Sequence, residues 1–159
     1  LAEMRTLLFE LRPSALLSVD LTTLIQQLVD AFSSHTRIPV NYMYQPINCV
    51  IPVDLKIAFY RIVQETLRNI EKHGHANNVK IALETFNNDR IIEIDSNDCK
   101  SKAMNISIVI EDDGVGFYPG NISGENFGLR IMFERAREIG ATINIFSQPG
   151  SGTRVELNW

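Results

Sequence analysis

The sequence predicts an α/β fold in which amphipathic helices lie against a sheet, and three observations carry that expectation. Apolar residues recur at the helical period from Leu21 to Phe32 and again from Phe59 to Ile70. Strict alternation marks Val79 to Thr85 and Ile106 to Ile110 as half-buried strands. Five of the nine glycines (114, 116, 120, 124 and 128) crowd into a loop ahead of a further helical stretch. A chain of 159 residues with 45% hydrophobic content has material for one substantial core, so a single domain is expected.

The chain opens inside a helical pattern, Met4, Leu7, Leu8 and Leu11, without a starting Met, which suggests a fragment of something longer. Pro13 ends that stretch, because the residue before a proline is pushed out of the helical region. A second helix starts near Asp20, with Leu21, Leu24, Ile25, Leu28, Val29 and Phe32 on one stripe. Pro39 to Tyr44 reads as a short strand, and Pro52 opens a third helix where its missing N–H costs nothing. On that helix, at about 100° per residue, Phe59, Ile62, Val63, Thr66, Leu67 and Ile70 share one arc. Arg61, Glu65, Asn69 and Lys72 fill its flank. The polar segment from Asn87 to Asn105 reads as an extended hairpin or partly disordered insertion. After the glycine-rich loop, Leu129, Met132, Phe133, Ala136 and Ile139 keep helical spacing and Gly140 stands at the C-terminal cap. Strands near 141–147 and 152–158 complete the sheet.

Fifteen basic and nineteen acidic residues give a net charge of −4, with no basic run to follow a phosphate backbone, so no direct nucleic-acid binding is expected. Cys49 and Cys99 lack metal-ligand spacing and read as reduced thiols in a reducing cytoplasm. No apolar run approaches the ~18 residues that span a bilayer and no signal peptide opens the chain, so this piece is expected to be soluble. Membrane segments or sensor domains could precede it.

Two motifs carry chemistry. Glu65 and Asn69 are four apart on the helix from Arg61 to His73 and stack on one face. Some forty residues later comes Asp112-Asp113-Gly114-Val115-Gly116-Phe117. In that order they read as a Mg-ATP site. Asp112 closes a strand before two glycines, so its carboxylate can accept from an exocyclic amine while the backbone passes close to the ring; adenine has that amine and guanine a carbonyl. The same pattern also suits a plain tight turn. Asn69 offers a neutral oxygen to Mg²⁺, or is a surface residue. Glu65 could take a proton or orient a water, or pair with Arg61 or Arg68. Lys72 can place its ammonium on phosphate, or is simply solvated. Gly128 and Leu129 begin a helix whose N-terminal N–H groups suit a triphosphate. Thr153, after Gly150-Ser151-Gly152, could extend the hydrogen bonding around Asp112, or belongs to an ordinary hairpin turn.

The order Arg61 to His73, Asp112 to Phe117, Phe127-Gly128-Leu129-Arg130-Ile131-Met132-Phe133-Glu134-Arg135-Ala136, then Gly152-Thr153 resembles the ATP-binding domain of bacterial sensor histidine kinases. These are similar to the N, G1 and G2 boxes of the gyrase, chaperone, histidine-kinase and mismatch-repair ATPase superfamily. The Gly-Leu-x-x-Met-x-Glu-Arg-Ala pattern resembles the branch that signals to response regulators with LuxR-type DNA-binding domains. Leu8 to Pro13 is similar to the end of that branch's dimerisation helix. The resemblance implies a Bergerat-type two-layer sandwich, a mixed sheet covered on one face by helices. Residues 1–17 would end the dimerisation and phosphoacceptor helix, and 18–159 would form the ATP-binding domain. It implies that Asn69 coordinates Mg²⁺, Glu65 is the N-box acid, Lys72 and His73 face phosphate, and Asp112 reads adenine. Gly114, Gly116, Gly128 and Leu129 would shape the pocket and its lid.

The resemblance further implies a catalytic domain that moves the γ-phosphoryl of Mg-ATP to a histidine on a helical domain of the same protein, homodimeric at full length, and thence to a regulator. It would be a cytoplasmic domain of a parent that is soluble or anchored in the inner membrane. Three departures stand out: His35, His73 and His75 are the only histidines and none sits in an upstream phosphoacceptor motif; Gly74 stands where alanine is usual; and the insertion from Asn87 to Asn105 is long. The rivals are an anti-sigma-factor serine kinase on the same scaffold and a nucleotide-binding or dimerisation module without transfer activity.

Overall fold

The computed structural model describes residues 19–47, 51–87, 104–119 and 127–159. Cys49, Cys99, the helical stretch over 1–17, the body of the insertion and Gly120 to Asn126 lie outside the described residues.

Helix α1 spans Leu21–Thr36, and Asp20 caps it: its carboxylate accepts from the Thr23 N–H at 2.8 Å, the Thr23 hydroxyl at 2.7 Å and the Thr22 hydroxyl. The predicted stripe from Leu21 to Phe32 is buried throughout. The helix ends on Arg37 in the left-handed region at φ 62°, with its N–H on the Ser33 carbonyl. Strand β1 follows at Val40–Tyr44. Helix α2 covers Val53–Asn69, with Pro52 as its extended N-cap. Phe59, Ile62, Val63, Thr66, Leu67 and Ile70 are all buried, as the helical period predicts. Lys56 is buried too, and its Nζ donates to the Val19 carbonyl at 2.8 Å, tying α2 to the entry of α1.

Strands β2 (Val79–Asn87) and β3 (Met104–Asp112) pair antiparallel along their whole length and so are longer than alternation alone marked them. Helix α3 is Phe127–Glu138, and Gly140 at φ 70° follows it in the expected stop. Strands β4 (Thr142–Ser147) and β5 (Thr153–Asn158) close the sheet. The order is β1-β2-β3-β5-β4, with β1 parallel to β2 and every other pair antiparallel. The sheet is therefore mixed.

Because side chains alternate across a strand, Ile81, Leu83, Ile106, Ile108, Ile110, Val155 and Leu157 form one buried face, under the helices. The opposite face carries Lys80, Glu84, Glu111, Arg154 and Glu156, with Arg154 held between Glu111 and Glu156. One stripe departs from expectation. Met132 and Ala136 of α3 are buried, but Phe133, about 100° around the helix from Met132, is 42% exposed, so the covered arc of α3 is narrower than that of α2. No helix among the described residues is long and apolar enough to cross a membrane.

Candidate functional site

The last turn of α2 is not α-helical. Ile70–Gly74 forms a π turn that ends on His75 at φ 48°. A π turn is closed by i→i+5 bonds, so each residue advances by less than the α-helix's ~100°. Lys72, three beyond Asn69, consequently swings farther from Asn69's face, while His73, four beyond, stays close to it. Asn69 and His73 line a cavity of about 320 Å³ beneath α3, and Lys72 is exposed and is not on its wall. Arg61 donates to Gln64 at 2.9 Å rather than to Glu65. Glu65 instead lies against α3: a Cβ on Gly128 would come within 2.2 Å of its Oε1. A side chain at 128 would therefore push the end of the Glu65 side chain aside.

Asp112, the last residue of β3, is half-buried and lines the same cavity. Its carboxylate accepts from the Gly114 N–H at 2.9 Å, and Thr153 stands opposite it across the β3–β5 ladder. Burial pushes its pKa up and the hydrogen bond from Gly114 opposes the shift. Asp113 turns the other way. Its oxygens accept from the N–H groups of Asn77 and Asn78, at 2.7 and 2.8 Å, and from the Asn78 side chain at 2.9 Å. With the Asn78 amide leading, these donors hold its pKa down. One carboxylate of the pair faces the cavity and the other staples the loop after α2.

The turn between them is clamped from two sides. The Gly74 carbonyl accepts from the Val115 N–H at 2.8 Å, and a Cβ on Gly114 would stand 2.1 Å from that carbonyl oxygen. On the other side the Val115 carbonyl accepts from the Gly150 N–H at 2.6 Å, and a Cβ on Gly116 would stand 2.0 Å from the Gln148 carbonyl oxygen. Gly74 itself is less constrained, since an added Cβ would meet only the side chains of Ile70, at 3.3 Å, and Ala76.

Apolar walls complete the cavity: Ile70, Phe117, Leu129, Met132, Ile145 and Val155, with Gly116 and Thr153 beside Asp112. Its size suits a small ligand, and Asp112, Thr153, Asn69 and His73 supply its polar groups. A flat ring between the apolar walls could hydrogen-bond to Asp112. Of the residues singled out from sequence, Asn69, His73, Asp112, Gly116, Leu129 and Thr153 line this cavity; Gly114, Gly128 and Glu65 adjoin it through the contacts above.

This geometry coincides with a family match over residues 54–159, from the start of α2 to the last residue. The chain belongs to the histidine kinase-, DNA gyrase B- and HSP90-like ATPase family. It is an ATPase domain of histidine-kinase type. It is 33% identical over 155 residues to the sensor protein VraS of Staphylococcus aureus, an alignment covering 98% of this chain and 40% of VraS. The chain thus spans about two-fifths of the length of the curated relatives it matches. Its fold is shared with the histidine kinase domain of the Erythrobacter litoralis EL346 blue-light activated histidine kinase, at a TM-score of 0.56 and 21% identity over 85% of this chain and 59% of that one. Full-length ShkA in complex with AMPPNP also shares it, at a TM-score of 0.62 and 14% identity, covering 88% of this chain and 30% of that one.

One part of the ATPase domain's site has no signal in the sequence: the π turn has no local signature, because a widened turn depends on how the helix end packs. Ser147, at the end of β4, accepts from the Phe117 N–H at 2.9 Å beside the site, and a serine just before a Gly-rich turn is the available signal for it.

Proposed function

We propose that this ATPase domain is the catalytic part of a sensor histidine kinase, passing the γ-phosphoryl of ATP to a histidine on a helical domain for relay to a response regulator. The observation that carries the proposal is the cavity that Asp112, Asn69 and His73 line together. Asp112 would accept the adenine amine, with Thr153 beside it. Asn69 suits Mg²⁺, which takes few protein ligands and completes its shell with water and phosphate oxygens. The ion would share its coordination with the nucleotide's phosphate oxygens. When bound, Mg²⁺ neutralises charge on the transferring phosphoryl group.

Within this proposal the acceptor imidazole attacks the γ-phosphorus, the bond to the β–γ bridging oxygen breaks, and ADP leaves. Glu65 receives or orients the imidazole proton. Lys72 reaches phosphate from the rim, His73 from the cavity wall, and Gly128 and Leu129 cover the site. Gly114 and Gly116 let the backbone pass close to the ring. Residues 1–17 would end the dimerisation and phosphoacceptor helix of a homodimeric parent, with 18–159 as the ATP-binding domain. The run Gly128-Leu129 to Ala136 supports a regulator with a LuxR-type DNA-binding domain. The domain would work in the cytoplasm, on a parent that is soluble or anchored in the inner membrane.

The test is to supply this chain and Mg-ATP with the helical domain of its parent. An acid-labile, alkali-stable phosphoprotein supports histidine transfer, and Glu65→Gln should abolish it while leaving ATP bound. An acid-stable product would point to serine, and no product would refute transfer.

A further inference from the structure

Across β3, β5 and β4, Asp112 stands opposite Thr153 and Thr153 opposite Ser147. Cross-strand partners share a face, so three polar side chains form one row leading away from the cavity. The Ser147 and Thr153 hydroxyls are 3.1 Å apart, and Thr153 stands directly across the ladder from Asp112, where its hydroxyl favours the charged carboxylate. Ser147 Oγ also accepts from the Phe117 N–H at 2.9 Å and lies 2.9 Å from the Gly152 carbonyl oxygen. It therefore touches both ends of the machinery around Asp112, the far end of the glycine turn and the threonine, without lining the cavity.

Counting protons orders the row. An ionised carboxylate can only accept, so a Thr153 hydrogen turned toward Asp112 leaves Thr153 Oγ1 with lone pairs for Ser147. The single Ser147 hydrogen then has two acceptors in reach, Thr153 Oγ1 and the Gly152 carbonyl. Either choice holds Ser147 in place, and donation to Thr153 strengthens Thr153 as a donor toward the carboxylate.

We propose that Ser147 is a positioning residue for the nucleobase: it acts through Thr153 and the Phe117 backbone to hold the Asp112 carboxylate in the orientation that selects an exocyclic amine. The inference rests on the ATP site proposed above. Removing the hydroxyl leaves the Phe117 N–H without its acceptor and Thr153 free to turn. What is lost is alignment of the base reader, not contact with phosphate.

Calorimetric titration of this chain with ATP and with inosine triphosphate, which carries a carbonyl in place of the amine, separates these effects. ATP binding by the parent chain is the control, and a folded parent that bound none would overturn the ATP site and this proposal with it. Given binding, Ser147→Ala should weaken ATP about tenfold, the scale of one buried hydrogen bond, and shrink the preference for ATP over inosine triphosphate by the same factor. Ser147→Thr, which restores a hydroxyl, should recover most of both. Ser147→Ala combined with Thr153→Val should lose less than the two single losses multiplied, because the part of the Ser147 effect that passes through Thr153 is already gone. Unchanged ATP affinity in Ser147→Ala, equal losses for the two nucleotides, or losses that multiply in the double variant would each overturn the role while leaving the ATP site standing. If Ser147→Ala does not fold, Ser147→Cys, of similar shape and weaker donor strength, takes its place in every arm.

Discussion

Two neighbouring carboxylates do opposite work, and solvent decides which. Asp112 is half-buried and its pKa is raised, so its charged form is disfavoured by the fold. It therefore subtracts stability at neutral pH, and that subtraction disappears as pH falls below the value of the unfolded chain. ATP affinity should fall with acidification as Asp112 protonates, beginning at a higher pH than an ordinary carboxylate near ~3.9 would give. Asp112→Asn should bind ATP at least about tenfold more weakly at neutral pH and lose that acid limb, as calorimetry across pH would reveal. Asp20 shows the contrary sign. Its hydrogen bonds, led by that from the Thr22 hydroxyl, lower its pKa from 3.8 to about 2. Its contribution is present above 3.8 and lost as pH falls through about 2. Asp20→Ala should cost about 1 kcal/mol in urea unfolding at pH 7, and the gap between the two chains should close in strong acid. At this scale the strand-end position of Asp112 was legible from alternation and the glycines after it, and the structure places it on the cavity wall. The role of Asp113 was not legible, because its partners Asn77 and Asn78 lie thirty-five or thirty-six residues away.

Among elements, glycines distinguish turns that position the site from turns that only end a helix. Gly114→Ala would drive a Cβ to 2.1 Å from the Gly74 carbonyl oxygen, backbone against backbone. It should cost about 2–3 kcal/mol and lower ATP affinity with it. Gly140 at φ 70° has nothing within 4 Å of an added Cβ. Gly140→Ala should cost about 1 kcal/mol of backbone strain and leave ATP affinity unchanged; equal effects of the two variants on ATP would refute the clamp. Helix faces were legible from periodicity in α1, where the buried residues are the predicted ones, and in α2, where every predicted residue is buried but Leu55, Lys56, Ala58 and Tyr60 are buried as well. In α3 the stripe was drawn too wide, since Phe133 satisfies the spacing without reaching the core. Periodicity states which residues share an arc, whereas packing states how much of the arc is covered.

For the whole molecule, ligand and fold are linked because the cavity is built from α2, β3, α3, β4 and β5 together, and no one of them retains it when the chain unfolds. ATP at a hundredfold excess over its Kd should therefore stabilise the domain by about 2.7 kcal/mol, a rise of roughly 5–10 °C in melting midpoint for a chain of this size. A midpoint indifferent to ATP would refute binding at this cavity. By itself the sequence determined the α/β class, the buried faces of α1 and α2, the strands and the ordered motifs from Glu65 to Thr153, because hydrophobic period and turn chemistry are local properties of the chain. Only the tertiary structure decided that His73 rather than Lys72 lines the cavity, that Asp113 staples a loop, and that Ser147, Thr153 and Asp112 stand in one row. Those outcomes depend on a π turn and on the register of strands distant in sequence, where hydrogen-bond partners are chosen by packing that no local pattern encodes.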